Sequence, residues 1–200
     1  MKLLMIDNYD SFTYNIIHYL EKARQDIEVV TITPAMLDFI DMKDIAGMII
    51  SPGPSHPGAR PEVIDFVGRY WGTMPILGVC LGHQMLWHMC GGRVAHGSRP
   101  IHGHTFEISH DGGTLFKGLP ERFSVTRYHS LTCLGEVPEG LMVSAWTDEG
   151  DIMAIRHKSL PIYGMQYHPE SILSEWGLDQ LRLFIEEMEK GEENASPYKI

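Results

Sequence analysis

The sequence predicts an α/β fold: a mostly parallel central sheet flanked by helices, with a small antiparallel sheet added. Three observations predict it. In the first half, short wholly apolar runs alternate with stretches of helical periodicity, the pattern of strands covered on both faces by crossover helices. Loops rich in Gly, Pro, Asn and Asp follow those runs. In the second half, β-prone runs succeed one another with little but turns between them, as antiparallel strands do.

The first strand is the continuous apolar run 3–6, after which Asn8, Tyr9, Asp10 and Ser11 supply turn and cap chemistry. Tyr14, Ile17, His18 and Leu20 then fall at near-helical spacing up to about Arg24. Runs 27–32 and 48–50 are the second and third strands, the third ending abruptly at Ser51-Pro52-Gly53-Pro54. Pro61 opens a helix carrying Val63, Ile64, Phe66, Val67 and Tyr70, because proline is tolerated in a first helical turn. A fourth strand over 75–80 leads directly into a helix over 81–89, which Gly91-Gly92 stops. Short β-prone runs follow at 105–109, 123–128, 142–146, 152–156 and 162–167, with turns such as Asp111-Gly112-Gly113 and Asp148-Glu149-Gly150. The last helix, 174–190, places Leu178, Leu181, Ile185 and Met188 on one stripe and takes Gly191 as its stop. The tail 192–200 reads as loosely held, so one domain spans 1–200 with an ordered core of about 1–191.

Composition narrows the function. With 200 residues, 44% of them hydrophobic, a full core is available without disulfides or metal. Only 21% are charged and 10% are aromatic, which excludes a disordered chain. The 16 Lys and Arg against 26 Asp and Glu give a net charge of −10, which argues against a nucleic-acid partner. Cys80, Cys90 and Cys133 form no C-x-x-C and cannot all pair, as expected in a reducing compartment. An acid at position 7 fits no signal peptide, and no apolar run approaches a membrane span. A cytoplasmic protein is expected.

Chemistry concentrates in three places. Gly78-Val79-Cys80-Leu81-Gly82 sits where a buried strand meets a helix and has the spacing of a nucleophile elbow, with cysteine in the place of serine. A thiol at a helix N-terminus feels the positive end of the helix dipole, which favours its nucleophilic thiolate. Gln166-Tyr167-His168-Pro169-Glu170 closes the last strand; residues two apart share a strand face, so His168 and Glu170 converge. An imidazole beside a thiol is the base that acyl transfer needs, and a carboxylate behind it sets its tautomer. Ser51-Pro52-Gly53-Pro54 ends a neighbouring strand, from which the Gly53 and Leu81 backbone N–H groups would form an oxyanion hole.

Together these stretches resemble the class I, triad-type glutamine amidotransferases. Within that family the chain is similar to the small subunit shared by anthranilate and aminodeoxychorismate synthases. The resemblance is carried by Ile6-Asp7-Asn8-Tyr9-Asp10-Ser11-Phe12-Thr13-Tyr14-Asn15, Ser51-Pro52-Gly53-Pro54, Gly78-Val79-Cys80-Leu81-Gly82-His83-Gln84, Arg127-Tyr128-His129-Ser130-Leu131 and His168-Pro169-Glu170-Ser171-Ile172-Leu173. It implies a flavodoxin-like fold and a glutaminase half-reaction without cofactor. By similarity Cys80 attacks the side-chain amide of L-glutamine, His168 moves the proton to ammonia, and Glu170 orients His168. Gln84, Ser130 and Leu131 hold the amino-acid end, and Pro52, Gly53 and Pro54 surround the amide. Gln84 lies one helical turn past Cys80, so it overhangs the same pocket. The ammonia passes to a separate chorismate-binding synthase subunit, and the segments 7–15 and His102-Gly103 resemble loops near that partner.

The sequence departs from the subfamily at Ser55-His56-Pro57-Gly58-Ala59-Arg60-Pro61, where an acidic-Ala-Gly stretch is usual; Gly53 is unaffected. His96, His102 and His104 fit no standard zinc spacing, and Cys90 and Cys133 read as packing residues. Alternatives are an amidotransferase subunit for carbamoyl phosphate, guanylate or imidazole glycerol phosphate synthesis, a free-standing γ-glutamyl hydrolase, or a non-catalytic docking subunit.

Overall fold

Successive residues of a strand point to opposite faces, so a run that is apolar throughout needs cover on both sides. The structure, a computed structural model, describes residues 1–97 and 103–194. Its elements are β1 (Lys2–Ile6), α1 (Thr13–Ala23), β2 (Glu28–Ile32), β3 (Ile45–Ile50), α2 (Pro61–Arg69), β4 (Ile76–Val79), α3 (Leu81–Met89), β5 (Arg93–His96), β6 (His104–His110), β7 (Arg122–Arg127), β8 (Leu131–Leu134), β9 (Leu141–Trp146), β10 (Ile152–His157), β11 (Ile162–Met165) and α4 (Gly177–Asn194). One sheet runs in the order β2-β1-β3-β4-β11-β10-β9-β6-β7. Neighbours from β2 to β11 are parallel. Beyond β11 the pairs are antiparallel. A small separate antiparallel sheet pairs β5 with β8. The parallel centre follows the sequence reading, and the antiparallel addition comes in two parts.

The alternation sorts the core. Leu3, Met5, Ile49, Leu77 and Val79 face Ile16 and Leu20 of α1 and Leu181, Phe184, Ile185 and Met188 of α4. Leu4, Ile6, Met48, Ile50 and Ile76 face Val63, Phe66 and Val67 of α2 and Met85, Leu86 and Trp87 of α3. Each such buried side chain stabilises the fold by roughly 1.5–3 kcal/mol. No described helix is long and apolar enough to cross a membrane.

Boundaries move where packing overrides local signals. The third strand begins at Ile45 rather than 48, since Gly47 lets α4 approach: a Cβ there would lie 2.7 Å from Met188 Cγ. The strand read as 162–167 ends at Met165, and the segment after it turns instead of extending. The last helix starts at Gly177 rather than 174, because the Ser174 hydroxyl is used on His168 O (2.6 Å) and Thr126 N (2.9 Å). It also runs through Gly191 to Asn194; a helical glycine is unfavourable by only about 1 kcal/mol against alanine. Of the tail 192–200, residues 195–200 lie outside the described residues, as does His102.

The start of α4 is locked to the segment holding His168 and Glu170, for a Cβ at Gly177 would sit 1.8 Å from the Pro169 carbonyl oxygen. Gly177→Ala is therefore expected to lower the melting temperature by about 2–12 °C, the effect of 1–3 kcal/mol of overpacking in a chain of this size. Gly68→Ala is the control: nothing lies within 4 Å of its added carbon, and α2 gains helix propensity, so the midpoint holds or rises. Thermal melts of both variants check this, and equal losses would contradict it.

Candidate active site

Cys80 stands at the carboxyl end of β4, where the chain turns into α3 with φ 52° and ψ −100°. Positive φ is uncommon for a residue with a side chain and persists only where surroundings enforce it. Here they do. A Cβ on Gly78 would meet the Gly82 carbonyl carbon and oxygen at 2.4 Å, and one on Gly82 would meet Ile50 O at 2.3 Å. The two glycines thus let elbow, helix and β3 close on one another, with Cys80 N–H donating to Met165 O at 2.8 Å. The thiol remains 7% exposed and lines a pocket of about 680 Å³.

His168 and Glu170, 2% and 3% exposed, are brought together by a turn rather than by the strand periodicity the sequence suggested. Pro169 has no N–H to offer a ladder, and His168 N–H docks on Thr126 O at 3.1 Å, beside the end of β7. His168 Nδ1 meets Glu170 Oε1 at 2.6 Å. Phe12 and Tyr128 hold the imidazole edge-on, with centroids 5.0 Å and 5.2 Å away. Nε2 is buried and makes no hydrogen bond among the described residues, and Cys80 acts on the ring through its charge. Burial disfavours the imidazolium, but the neighbouring Cys80 and the hydrogen-bonded Glu170 outweigh it and push the pKa up to about 10. A charged imidazole between a thiol and a carboxylate is equipped for nucleophilic acyl transfer.

Of the other residues singled out from sequence, Gly53, Pro54, Leu81, Gln84, Ser130 and Leu131 all line the pocket. Pro52 does not; it is buried behind the loop, its carbonyl accepting from the Ser51 hydroxyl at 2.7 Å. Leu81 is the first residue of α3, so its N–H has no acceptor within the helix. Gly53 approaches closely: a Cβ there would lie 2.9 Å from Leu81 Cδ2 and 2.6 Å from Asn8 Cβ. Asn8 ties the β1 and β3 loops together, its backbone N–H donating to Ser51 Oγ (2.9 Å) and its amide to Ser51 O (3.1 Å). The unusual stretch after Pro54 forms pocket wall. His56 there accepts from Gly58 N–H at 3.0 Å, and its other nitrogen meets Val94 O of β5 at 3.0 Å.

Sequence reasoning missed a buried polar chain. Arg127, paired with Asp151 at 2.8 Å, donates through Nε to His129 Nε2 at 3.1 Å. His129 Nδ1 meets Leu131 O at 2.7 Å, and Gln84 Nε2 donates to that same carbonyl at 2.9 Å and to Gln166 Oε1 at 3.0 Å. Gln166 Nε2 in turn lies 3.8 Å from Cys80 Sγ. Burial first, and then the Arg127 charge, push the His129 pKa down to about 4, so its ring is neutral. The signal for Gln166 was a polar residue at the end of an apolar strand run.

Cys133 is buried, and burial pushes both its pKa and that of half-buried Cys90 up, as befits packing thiols. Among the described residues no group of three or more His, Cys, Asp or Glu could hold a metal ion.

Cys80, His168, Glu170, Phe12 and the Gly53 loop lie where β1, β3, β4 or β11 ends at its carboxyl side, the location at which open α/β sheets bind ligands, and β5 of the small sheet closes the pocket wall. A solved structure from Thermoplasma acidophilum, described provisionally as part of a GMP synthase, shares this fold with a TM-score of 0.86 at 23% identity, covering 98% of this chain and 97% of that one. The aminodeoxychorismate/anthranilate synthase component 2 of Bacillus subtilis is 44% identical over 189 residues, 94% of this chain and 97% of the relative. The aminodeoxychorismate synthase of Streptomyces griseus is 44% identical over 180 residues, which make up 86% of this chain but 24% of that larger protein. The model of the class-I glutamine amidotransferase family matches residues 4–188, so fold, elbow and relatives agree, and the chain belongs to that family.

Proposed function

We propose that this chain is the glutaminase subunit of a synthase that aminates chorismate, supplying ammonia for anthranilate in tryptophan synthesis, for aminodeoxychorismate in folate synthesis, or for both. The observation that carries the reading is the 2.6 Å contact of His168 Nδ1 with Glu170, which leaves the opposite nitrogen to the thiol of an enforced elbow.

The Cys80 thiolate attacks the γ-carbonyl carbon of L-glutamine, forming a C–S bond and placing negative charge on oxygen. The N–H groups of Gly53 and Leu81 receive that charge, both residues lying in the pocket wall. Collapse breaks the C–N bond, and His168 delivers its proton to the departing ammonia. Water then attacks the thioester, with His168 as base, and glutamate leaves. Glu170 holds the ring in one tautomer and stabilises its charged form throughout. Gln84, Ser130 and Leu131 hold the amino-acid end of glutamine, and Gly53 and Pro54 enclose its amide.

Ammonia passes to a chorismate-binding partner subunit. Support comes from a relative of matching length named as a component 2, and from the Streptomyces protein, in which this stretch is 24% of the chain. The segment 7–15 is the reading's contact for that partner: it carries Phe12 against His168 and exposes Tyr9 and Tyr14. Three unpaired thiols suit a cytoplasmic home.

Cys80→Ser, assayed with the partner subunit, is expected to cut glutamine-dependent product formation by ~10³-fold or more, because members of a catalytic unit fail together. Ammonia-dependent synthesis stays intact; loss of both, or of neither, overturns the reading. A pH dependence follows from His168. Its folded pKa of about 10 lies above the ordinary 6.5, so its contribution to stability is complete below pH ~6.5. That contribution declines by ~1.4 kcal/mol per pH unit above this and is lost as pH rises through about 10. Denaturant titrations from pH 6.5 to 8, below the range in which the buried thiols and tyrosines add their own alkaline loss, should show that decline in the unaltered chain and not in His168→Gln. Parallel curves would contradict it.

A further inference from the structure

The polar chain behind the pocket has a direction, and it ends on the nucleophile. An Arg127 Nε–H can only donate, so the His129 nitrogen it meets carries a lone pair, and the ring proton is on Nδ1. That proton goes to Leu131 O, a carbonyl that can only accept. The side-chain atom of Gln84 facing the same carbonyl must therefore be its NH2, with one hydrogen for Leu131 O and the other for Gln166. Since that contact too is a donation, the carbonyl end of Gln166 faces Gln84, and its own NH2 is turned to the Cys80 sulfur. Either amide reversed would set donor against donor or acceptor against acceptor in a buried site, at roughly 1–3 kcal/mol for each unsatisfied group.

We propose that the Gln166 side-chain amide is a catalytic hydrogen-bond donor that holds Cys80 as its thiolate, and that Gln84 positions it. The proposal rests on the reading of Cys80 as the nucleophile. A donor at 3.8 Å from sulfur interacts more strongly with the thiolate than with the thiol, because hydrogen bonds to a charged partner are about twice as strong as neutral ones. Gln166 has no exposed surface, so its amide is itself shielded from bulk water. Gln84 consequently has both N–H groups engaged, which leaves its Oε1 as the atom available to a ligand in the pocket.

The test is the pH profile of iodoacetamide alkylation, read by mass spectrometry on the peptide containing Cys80, so that the other two thiols do not confuse it. In Gln166→Met, which keeps the length but loses the donor, the midpoint should move to higher pH and the rate at pH 7 should fall about tenfold. Gln84→Met, which frees Gln166 to turn, should move the midpoint in the same direction by less. A merely structural role would change the plateau rate and leave the midpoint in place. A midpoint unmoved in folded Gln166→Met overturns the proposal; if that variant does not fold, an unmoved midpoint in Gln84→Met does so. Alkylation needs neither glutamine nor the partner, so this result stands apart from Cys80→Ser in the synthase assay, where retained glutamine-dependent synthesis would overturn the function itself.

Discussion

Everything at the site depends on how closely the chain passes itself between Gly78 and Gly82. The 2.4 Å and 2.3 Å approaches that a Cβ would make there, to Gly82 and to Ile50 O, mean that the strand, the elbow and the neighbouring strand share one small volume. Cys80 is forced to a positive φ by that closeness, and its thiol is delivered to the mouth of the pocket at the first turn of α3. A more relaxed turn would leave the helix start, the Gly53 loop and the thiol out of register with one another. The strain is tolerated because β4 sits in the middle of the sheet, paired on both sides.

Around that fixed point the two halves of the chain meet. The first half supplies Cys80, the loops after β1 and β3, and Phe12; the second supplies His168, Glu170, Tyr128 and the wall at Ser130 and Leu131. Opposite electrostatic environments separate two buried histidines. His168 has a carboxylate and a thiol as neighbours and is held charged, whereas burial, and then the Arg127 charge, hold His129 neutral. One ring is thereby suited to carry a proton in the reaction, and the other relays hydrogen-bond direction without titrating near neutral pH.

Much of this was legible in the sequence, for identifiable reasons. Parallel strands are apolar throughout, and the elbow needs glycine on either side of its nucleophile, so β1, β4 and Cys80 announce themselves. His168 and Glu170 were found through a strand face they do not share; their actual partnership comes from the Pro169 turn, which depends on Thr126, far away in the chain, and on the close approach of Gly177. The strands β5 and β8 were invisible because each is four residues long and, among the described residues, pairs only with the other. Gln166 escaped because an amide carries no motif of its own. Its meaning lies in which end faces which neighbour, and only the three-dimensional chain from Arg127 to Cys80 decides that.

In the proposed reaction, carbon–sulfur bond formation at Cys80 begins the release of ammonia. It is tested most directly by mixing the chain and its partner with L-glutamine, quenching in acid within a turnover, and weighing the peptides. A γ-glutamyl group in thioester linkage is expected on the peptide containing Cys80. Glutamine consumed with no such adduct, or with the adduct on Cys90 or Cys133, would contradict it.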